Sequence, residues 1–253
     1  MPKFFIKEEQ IDLVKKQIVL DAESSKHISK VLRQKVGDEI EISNGNMLDY
    51  ICKISDISNV VTLDIISTKQ SSSEFDFCVN LYQGIAKGDK MDTIIQKTTE
   101  LGITNIIPID TKFTVVKLSG DDKISKKIDR WNKIAHEAAK QSERGIMPNI
   151  TNPMTLKKAI ETCKTNNDLA VVCYEREDNY TLKSFLSDKK LKDLISKGSL
   201  TLSFFIGPEG GFAPEEIELF KQNDITLVSL GSRILRTETA SLCFLSMLQY
   251  EIF

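Results

Sequence analysis

The sequence predicts a two-domain α/β protein: a small β-barrel over residues 1–72, then a mostly parallel sheet with helices on both sides over residues 73–253. Three observations carry this. Apolar and polar residues alternate on either side of Asn44-Gly45, as in half-buried strands joined by a tight turn. The stretch KQSSSEFD near residues 70–76 is polar, serine-rich and without apolar periodicity, which marks a boundary. Beyond it, continuous apolar runs alternate with helical periodicity, the pattern of strands covered on both faces.

In the first domain, Ser24 and Ser25 are expected to cap a helix running through His27, Val31 and Leu32 that ends before Gly37. DEIEISNGNMLDYICKISDI reads as a hairpin and NVVTLDIIS as another strand. In the second domain, VNLYQGIA is a strand. Asp89 to Leu101 is helical, with Met91, Ile94, Ile95 and Thr98 on one face and Gly102 as the stop. ITNIIPID is a strand, and residues 123–143 form a long amphipathic helix with Ile124, Ile128, Trp131, Ile134 and Ala138 on its apolar side. DLAVVCY, LTLSFFIG and TLVSLG are strands; LRTETASLCFLSMLQYEIF is the closing helix.

Composition excludes several function classes. Hydrophobic residues make up 41% and charged residues 28% of the 253 residues, the balance of an ordinary globular protein. No run approaches the ~20 apolar residues needed to cross a bilayer. MPKFFIKEEQ does not have the form of a secretory leader. The five cysteines are scattered and never spaced C-x-x-C, which suits free thiols in a cytoplasmic protein. A net charge of −2 argues against a non-specific coat for nucleic acid. Between Lys112 and Gly145, however, nine Lys/Arg face five Asp/Glu, a segment that can hold phosphates or simply be a solvated helix face.

Common catalytic signatures are missing from the sequence. No GxGxxG opens a helix after a strand, no phosphate-binding P-loop is present, and GIAKGDK has the wrong spacing for one. There is no GxSxG elbow. Two histidines and dispersed cysteines predict no metal site.

Two segments stand out. Gly207-Pro208-Glu209-Gly210-Gly211-Phe212 directly follows an apolar strand, at the sheet edge where open α/β folds bind ligands. Its missing side chains let backbone groups approach a ligand; it also reads as a plain tight turn into a helix starting near Pro214. Leu230-Gly231-Ser232-Arg233-Ile234-Leu235-Arg236-Thr237-Glu238-Thr239-Ala240 follows the last strand and lies on the same edge. Charges between apolar stretches must be paired or meet a charged ligand. Alternatively, Thr237 or Thr239 caps the final helix and Glu238 suits its dipole.

Together these loops resemble the SPOUT superfamily of methyltransferases, and within it the bacterial small-subunit ribosomal RNA uracil-N3 methyltransferase family. The resemblance spans essentially the whole chain: His27 with Val31-Leu32-Arg33, Gly37-Asp38 and Asn44-Gly45; Lys90-Met91-Asp92, Gln96-Lys97 and Glu100-Leu101-Gly102; Arg130-Trp131; Glu137-Ala138-Ala139; Gln141-Ser142 and Arg144. The chain departs from the family at Lys3-Phe4-Phe5, where an Arg-Phe-Phe start is usual. It departs again at Lys112-Phe113-Thr114, where an Arg-Ser pair often stands. Lysine keeps the charge but not the bidentate fork.

The resemblance implies a PUA-like RNA-binding barrel and a SPOUT domain with a deep trefoil knot. It implies S-adenosylmethionine as cofactor, a homodimer, and small-subunit ribosomal RNA as substrate, in an assembled particle. Adenine would rest on backbone near Ile206, Gly207, Leu230 and Leu235, with Pro208, Glu209, Gly210 and Gly231 around the cofactor. Ile234, Thr239 and Ala240 complete that loop, and Val172, Tyr174 and Glu175 form a third wall. Lys3, Arg33, Lys112 and Arg144 are the implied RNA contacts. A base must take the N3 proton, for which Glu209 and Glu238 are candidates. Arg236, or Arg144 of a second subunit, would stabilise the uracil anion. Phe212 and Trp131 offer aromatic surfaces for a base, Trp131 being better suited to the core. Two other readings stand beside this one: a SPOUT enzyme acting on tRNA or a ribose 2′-hydroxyl, and a non-catalytic RNA-binding protein.

Overall fold

Period-2 patterning builds the first unit and near-continuous apolar strands build the second. The computed structural model describes residues 3–116, 120–166, 169–198 and 200–252. Asp168 and Phe253, expected in a strand and in the closing helix, and Lys117 of the basic segment lie outside the described residues. The chain forms two compact units, one of residues up to Glu74 with Ala139–Met147, the other of Phe75–Ala138 with Pro148 onward. The boundary lies two residues from the expected cut after residue 72. The return of Ala139–Met147 to the first unit is a correction to the expected division.

In the first unit, β1 (Lys3–Phe5), β2 (Ile11–Asp12), β3 (Gln17–Val19), β4 (Glu39–Ser43), β5 (Leu48–Asp56) and β6 (Thr62–Gln70) form one sheet. Its order is β1-β4-β5-β6-β3-β2, antiparallel except for β1 against β4. Phe4, Ile18, Ile40, Ile42, Ile54 and Leu63 alternate inward to make its core. The expected turn at Asn44-Gly45 is wider than two residues. Asn44 N–H bonds Leu48 C=O at 3.0 Å, and both Gly45 (φ +69°) and Met47 (φ +67°) are left-handed.

The expected serine caps are corrected: α1 (Ala22–Lys26) is capped by Asp21, whose carboxylate accepts from Ser24 N–H at 2.7 Å. Ser25 lies inside the helix, where its hydroxyl accepts from Val61 N–H at 2.9 Å. The helix then widens, Leu32 N–H reaching back five residues to His27 C=O, and stops at Arg33, whose φ is +56°.

The second unit carries β7 (Cys78–Gly84), α2 (Lys90–Glu100), β8 (Asn105–Asp110), α3 (Asp121–Gln141), β9 (Asn149–Ile150), β10 (Met154–Thr155) and α4 (Leu156–Asn166). It continues with β11 (Leu169–Cys173), α5 (Leu182–Leu186), α6 (Lys189–Ser196), β12 (Thr201–Ile206), α7 (Pro214–Gln222), β13 (Thr226–Val228) and α8 (Thr237–Ile252). The strands run parallel in the order β10-β8-β7-β12-β11-β13, with β9 beside β8. Helices α4, α5 and α6 lie between strands that the sequence reading placed, in stretches it left unassigned.

β12 shows why its run is apolar throughout. Successive side chains point to opposite faces: Phe204 stacks on Phe244 of α8 at 4.0 Å, while Phe205 stacks on Tyr82 at 4.4 Å in the other core. Trp131 belongs to the first of these cores and is 3% exposed. Among the described residues no helix is long and apolar enough to cross a membrane.

Candidate active site

Parallel strands deliver their C-terminal ends to one edge. There the loops after β11, β12 and β13, with Lys90 at the start of α2, enclose a cavity of about 570 Å³. Such a volume suits a medium-sized organic ligand. The two loops singled out in the sequence supply most of the wall. From the first come Ile206, Gly207, Pro208, Glu209 and Gly210; from the second come Leu230, Gly231, Ile234, Leu235, Arg236 and Ala240.

Close approach explains the glycines. A Cβ on Gly84, at the end of β7, would lie 2.4 Å from Pro208 N, so only glycine lets the two segments touch. Gly210 has an ordinary φ, and a Cβ there would meet Phe113 Cβ at 2.8 Å. The left-handed residue of the loop is its neighbour Gly211, at φ +69°.

The start of α8 is tied to the first loop. Thr237 donates its hydroxyl hydrogen to Gly207 C=O at 2.6 Å and accepts from Gln83 Nε2 at 2.8 Å. Thr237 is therefore not a side-chain N-cap, because its hydroxyl is committed across the fold. Thr239 is exposed and lies outside the cavity wall.

Each expected charge has a definite place. Glu209 Oε1 accepts from Lys87 N–H and from Lys90 Nζ, both at 3.0 Å. Burial works to raise the Glu209 carboxyl, but these two bonds and the lysine charge outweigh it and hold the group below the usual range. Glu238 is half-buried and absent from the cavity wall; its Oε2 is enclosed without a hydrogen-bond partner among the described residues. Arg233 and Arg236 are exposed on the wall, and among the described residues neither is in an ion pair. Arg236 is thus not paired with Glu238.

Tyr174 and Glu175 line the cavity as expected, but Val172 does not. It is fully buried inside the strand, whereas Cys173, Tyr174 and Glu175 stand at the strand's C-terminal end, where the cavity begins. Lys90 and Arg233, absent from the expected site, also line it; Lys90 was legible as part of its lysine-methionine-aspartate run. Phe212 lines the cavity but packs edge-on against Phe220 at 5.1 Å and is 5% exposed, whereas Trp131 is buried in the core away from it.

The implied RNA contacts divide. Lys3 and Arg144 are buried: Lys3 Nζ reaches Asp49 at 2.8 Å and Glu143 C=O at 3.2 Å, and Arg144 Nε bonds both oxygens of Glu74 at 3.1 Å. Charges taken out of water keep their partners, so these two are corrected from RNA contacts to ion pairs inside the first unit. Arg33 is exposed. Lys112 is exposed too, with its ammonium on Glu215 and its N–H on Glu216 at 2.8 Å. Among the described residues no three His, Cys, Asp or Glu side chains gather as a metal site.

The sequence matches the RNA methyltransferase domain family over residues 73–249 and the RNA methyltransferase PUA domain over residues 20–61. It is 36% identical to Ribosomal RNA small subunit methyltransferase E of Bacillus subtilis (strain 168), over 95% of both chains. The chain belongs to the ribosomal RNA small subunit methyltransferase E family. A relative of the same description in Buchnera aphidicola subsp. Acyrthosiphon pisum is 32% identical, covering 98% of this chain and 93% of its own. The fold is shared with the Neisseria gonorrhoeae member of the family solved bound to S-adenosyl methionine. That structure gives a TM-score of 0.83 at 25% identity, over 99% of this chain and 97% of that one. A putative methyltransferase from Legionella pneumophila, solved with bound cofactor, gives 0.80 at 28% identity over 98% and 97%. Membership of this family places the N-terminal sheet as a PUA domain and the parallel sheet as the methyltransferase domain.

Proposed function

We propose that this protein transfers a methyl group from S-adenosylmethionine to N3 of a uridine in small-subunit ribosomal RNA. The observation that carries the reading is the cavity walled by Ile206–Gly210 and Leu230–Ala240, in a fold shared with relatives solved with that cofactor. The residues fit the group. Ile206, Leu230, Leu235 and Ala240 offer apolar surface for adenine, and the glycine-rich backbone offers hydrogen-bonding groups at close range. Tyr174, Glu175, Pro208, Gly231 and Ile234 complete the holding surface.

Bound there, the cofactor supplies an electrophilic methyl on sulfur. The chain's own residues orient and ionise the base. N3 lies on the Watson–Crick edge, so the target uridine is unpaired or turned out of its stack. N3 must lose its proton before its lone pair can form the new bond, and the charge left behind spreads over the two flanking carbonyl oxygens. Arg236, on the cavity wall and in no ion pair among the described residues, has the planar fork to hold them. Hydrogen bonds from Lys87 N–H and Lys90 Nζ hold the Glu209 carboxyl below the usual range, so it anchors the loop and is a weak base for that proton. Glu238 remains the other carboxylate candidate. Arg33 and Lys112 are the exposed cations left to meet RNA phosphates.

The same reading includes a deep trefoil knot in the methyltransferase domain, a homodimer, and the assembled small subunit in the cytoplasm as substrate. Leu245 and Leu248 of α8 are core residues, and the exposed Met247 and Tyr250 of the same helix offer apolar surface for a dimer face. Nucleoside mass spectrometry of small-subunit ribosomal RNA from cells lacking the protein tests the function. N3-methyluridine should disappear, and its persistence would overturn the reading.

A further inference from the structure

A buried relay joins three segments that are distant in sequence. A threonine hydroxyl has one hydrogen to give and lone pairs to accept with. Thr237 gives its hydrogen to Gly207 C=O at 2.6 Å, so the amide facing it must donate, and Gln83 Nε2 does so at 2.8 Å. The same nitrogen donates to Gly84 C=O at 3.0 Å. Gln83 is fully enclosed in β7 and Thr237 is nearly so at the first turn of α8. They lie 154 residues apart, and Thr237 is 30 residues from Gly207.

The relay runs from the end of β7 through the start of α8 to the loop after β12. Thr237 and Gly207 are both on the cavity wall. A second tie, from Glu209 to Lys87 N–H, secures the same loop to the segment after β7. Hydrogen bonds in a dry chain hold their groups rigidly, and an unmade one there is costly; both Gln83 Nε2 bonds are made, while its Oε1 is enclosed without a partner among the described residues. Apolar packing would have held the segments together more simply. Directional bonds hold them in one register.

We propose that Gln83 and Thr237 are positioning residues, forming a latch that sets the spacing of the two wall loops and so the affinity for the cofactor. This rests on the reading that the cavity holds S-adenosylmethionine.

The test uses the full chain, with cofactor titration by calorimetry well below the melting temperature and melting of the free protein beside it. Thr237→Val keeps shape but not the hydroxyl, Thr237→Ser keeps the hydroxyl, and Gln83→Met keeps length but neither donor. Thr237→Val and Gln83→Met should each weaken cofactor binding about tenfold, as expected for a buried hydrogen bond. Thr237→Ser should stay within about threefold of the parent, and the double variant should lose far less than the product of the singles. Undiminished affinity in Thr237→Val and Gln83→Met, however far melting falls, would reduce the relay to packing and overturn the proposal. Equal losses in Thr237→Ser and Thr237→Val would overturn it too. Should Thr237→Val not fold, Gln83→Met against Thr237→Ser decides. Failure of the parent protein to bind the cofactor would sink the functional reading instead. Amide exchange in the Gly207 loop of the free protein would still read the latch, faster for Gln83→Met than for Thr237→Ser.

Discussion

Arg144 and Glu74, 70 residues apart, form a buried ion pair in which Arg144 Nε bonds both carboxylate oxygens at 3.1 Å. Glu74 also accepts from the backbone N–H of Gly145 at 2.6 Å and of Ile146 at 3.2 Å. One carboxylate therefore fastens the returning segment Ala139–Met147 to the sheet of the first unit. Removing one member strands a charge out of water, so Arg144→Ala should destabilise the protein by about 3–5 kcal/mol. Burial pushes the Glu74 carboxyl up, but Arg144 and the two amides outweigh it and its folded pKa lies below 4.5. A depressed carboxylate stabilises above its unfolded pKa and ceases to do so as pH falls through the folded value. Melting of the parent should thus fall with acidification below 4.5, and Arg144→Ala should lose much of that dependence. An unchanged melting temperature in Arg144→Ala would contradict the account.

Gly210→Val should weaken cofactor binding and lower the melting temperature together. The added Cβ meets Phe113 Cβ at 2.8 Å, so the loop must move before any ligand is considered. Filling ligand space alone would weaken binding and leave melting unchanged. A melting temperature equal to the parent's, with binding lost, would show that the side chain acts on the ligand alone.

Glu209 is held ionised, and its contribution to the loop is present above the ordinary carboxylate pKa of 4.5 and lost only as pH falls through its lowered value. Cofactor affinity should therefore be flat from about pH 6 to 9, while single-turnover rate rises with pH as N3 ionises. Glu209→Gln should shift the rate without altering that slope. A slope abolished by Glu209→Gln would make Glu209 the base.

What could be read in the sequence follows the range of each physical constraint. The loops at 207–212 and 230–240 were legible because Gly, Pro and flanking apolar strands act within a few residues. The burial of Arg144 was not, since a guanidinium's partner 70 residues away leaves no local trace. Val172 lies one residue too deep in its strand to reach the cavity, and the exact end of a strand is not marked in an apolar run. The cap fell to Asp21 where Ser24 was expected, because carboxylate and hydroxyl are equally good local signals. Gln83 was invisible as a site residue: an amide inside an apolar strand carries no pattern, and its role depends on Thr237 meeting it in three dimensions.

Arg236→Ala should reduce turnover far more than cofactor affinity, with Arg236→Lys recovering little. The rival role, a pairing with Glu238 that holds the loop, has no support among the described residues, where Arg236 makes no ion pair. The loop is held instead by Thr237 on Gly207 C=O, next to Arg236 in sequence. A guanidinium on the cavity wall with no acid partner keeps its fork for a ligand. On the proposed mechanism that ligand is the pair of uracil oxygens that gain charge as N3 ionises. Losing a preorganised donor of this kind costs about 10²–10³ in rate, roughly 3–4 kcal/mol. Lysine restores the charge but not the two-point geometry. Single-turnover kinetics on small subunits lacking the modification, beside cofactor titration and thermal melts, separates the roles. Parallel loss of cofactor affinity and melting temperature, mimicked by Glu238→Ala, would assign Arg236 to loop structure, and a normal single-turnover rate would remove it from the mechanism.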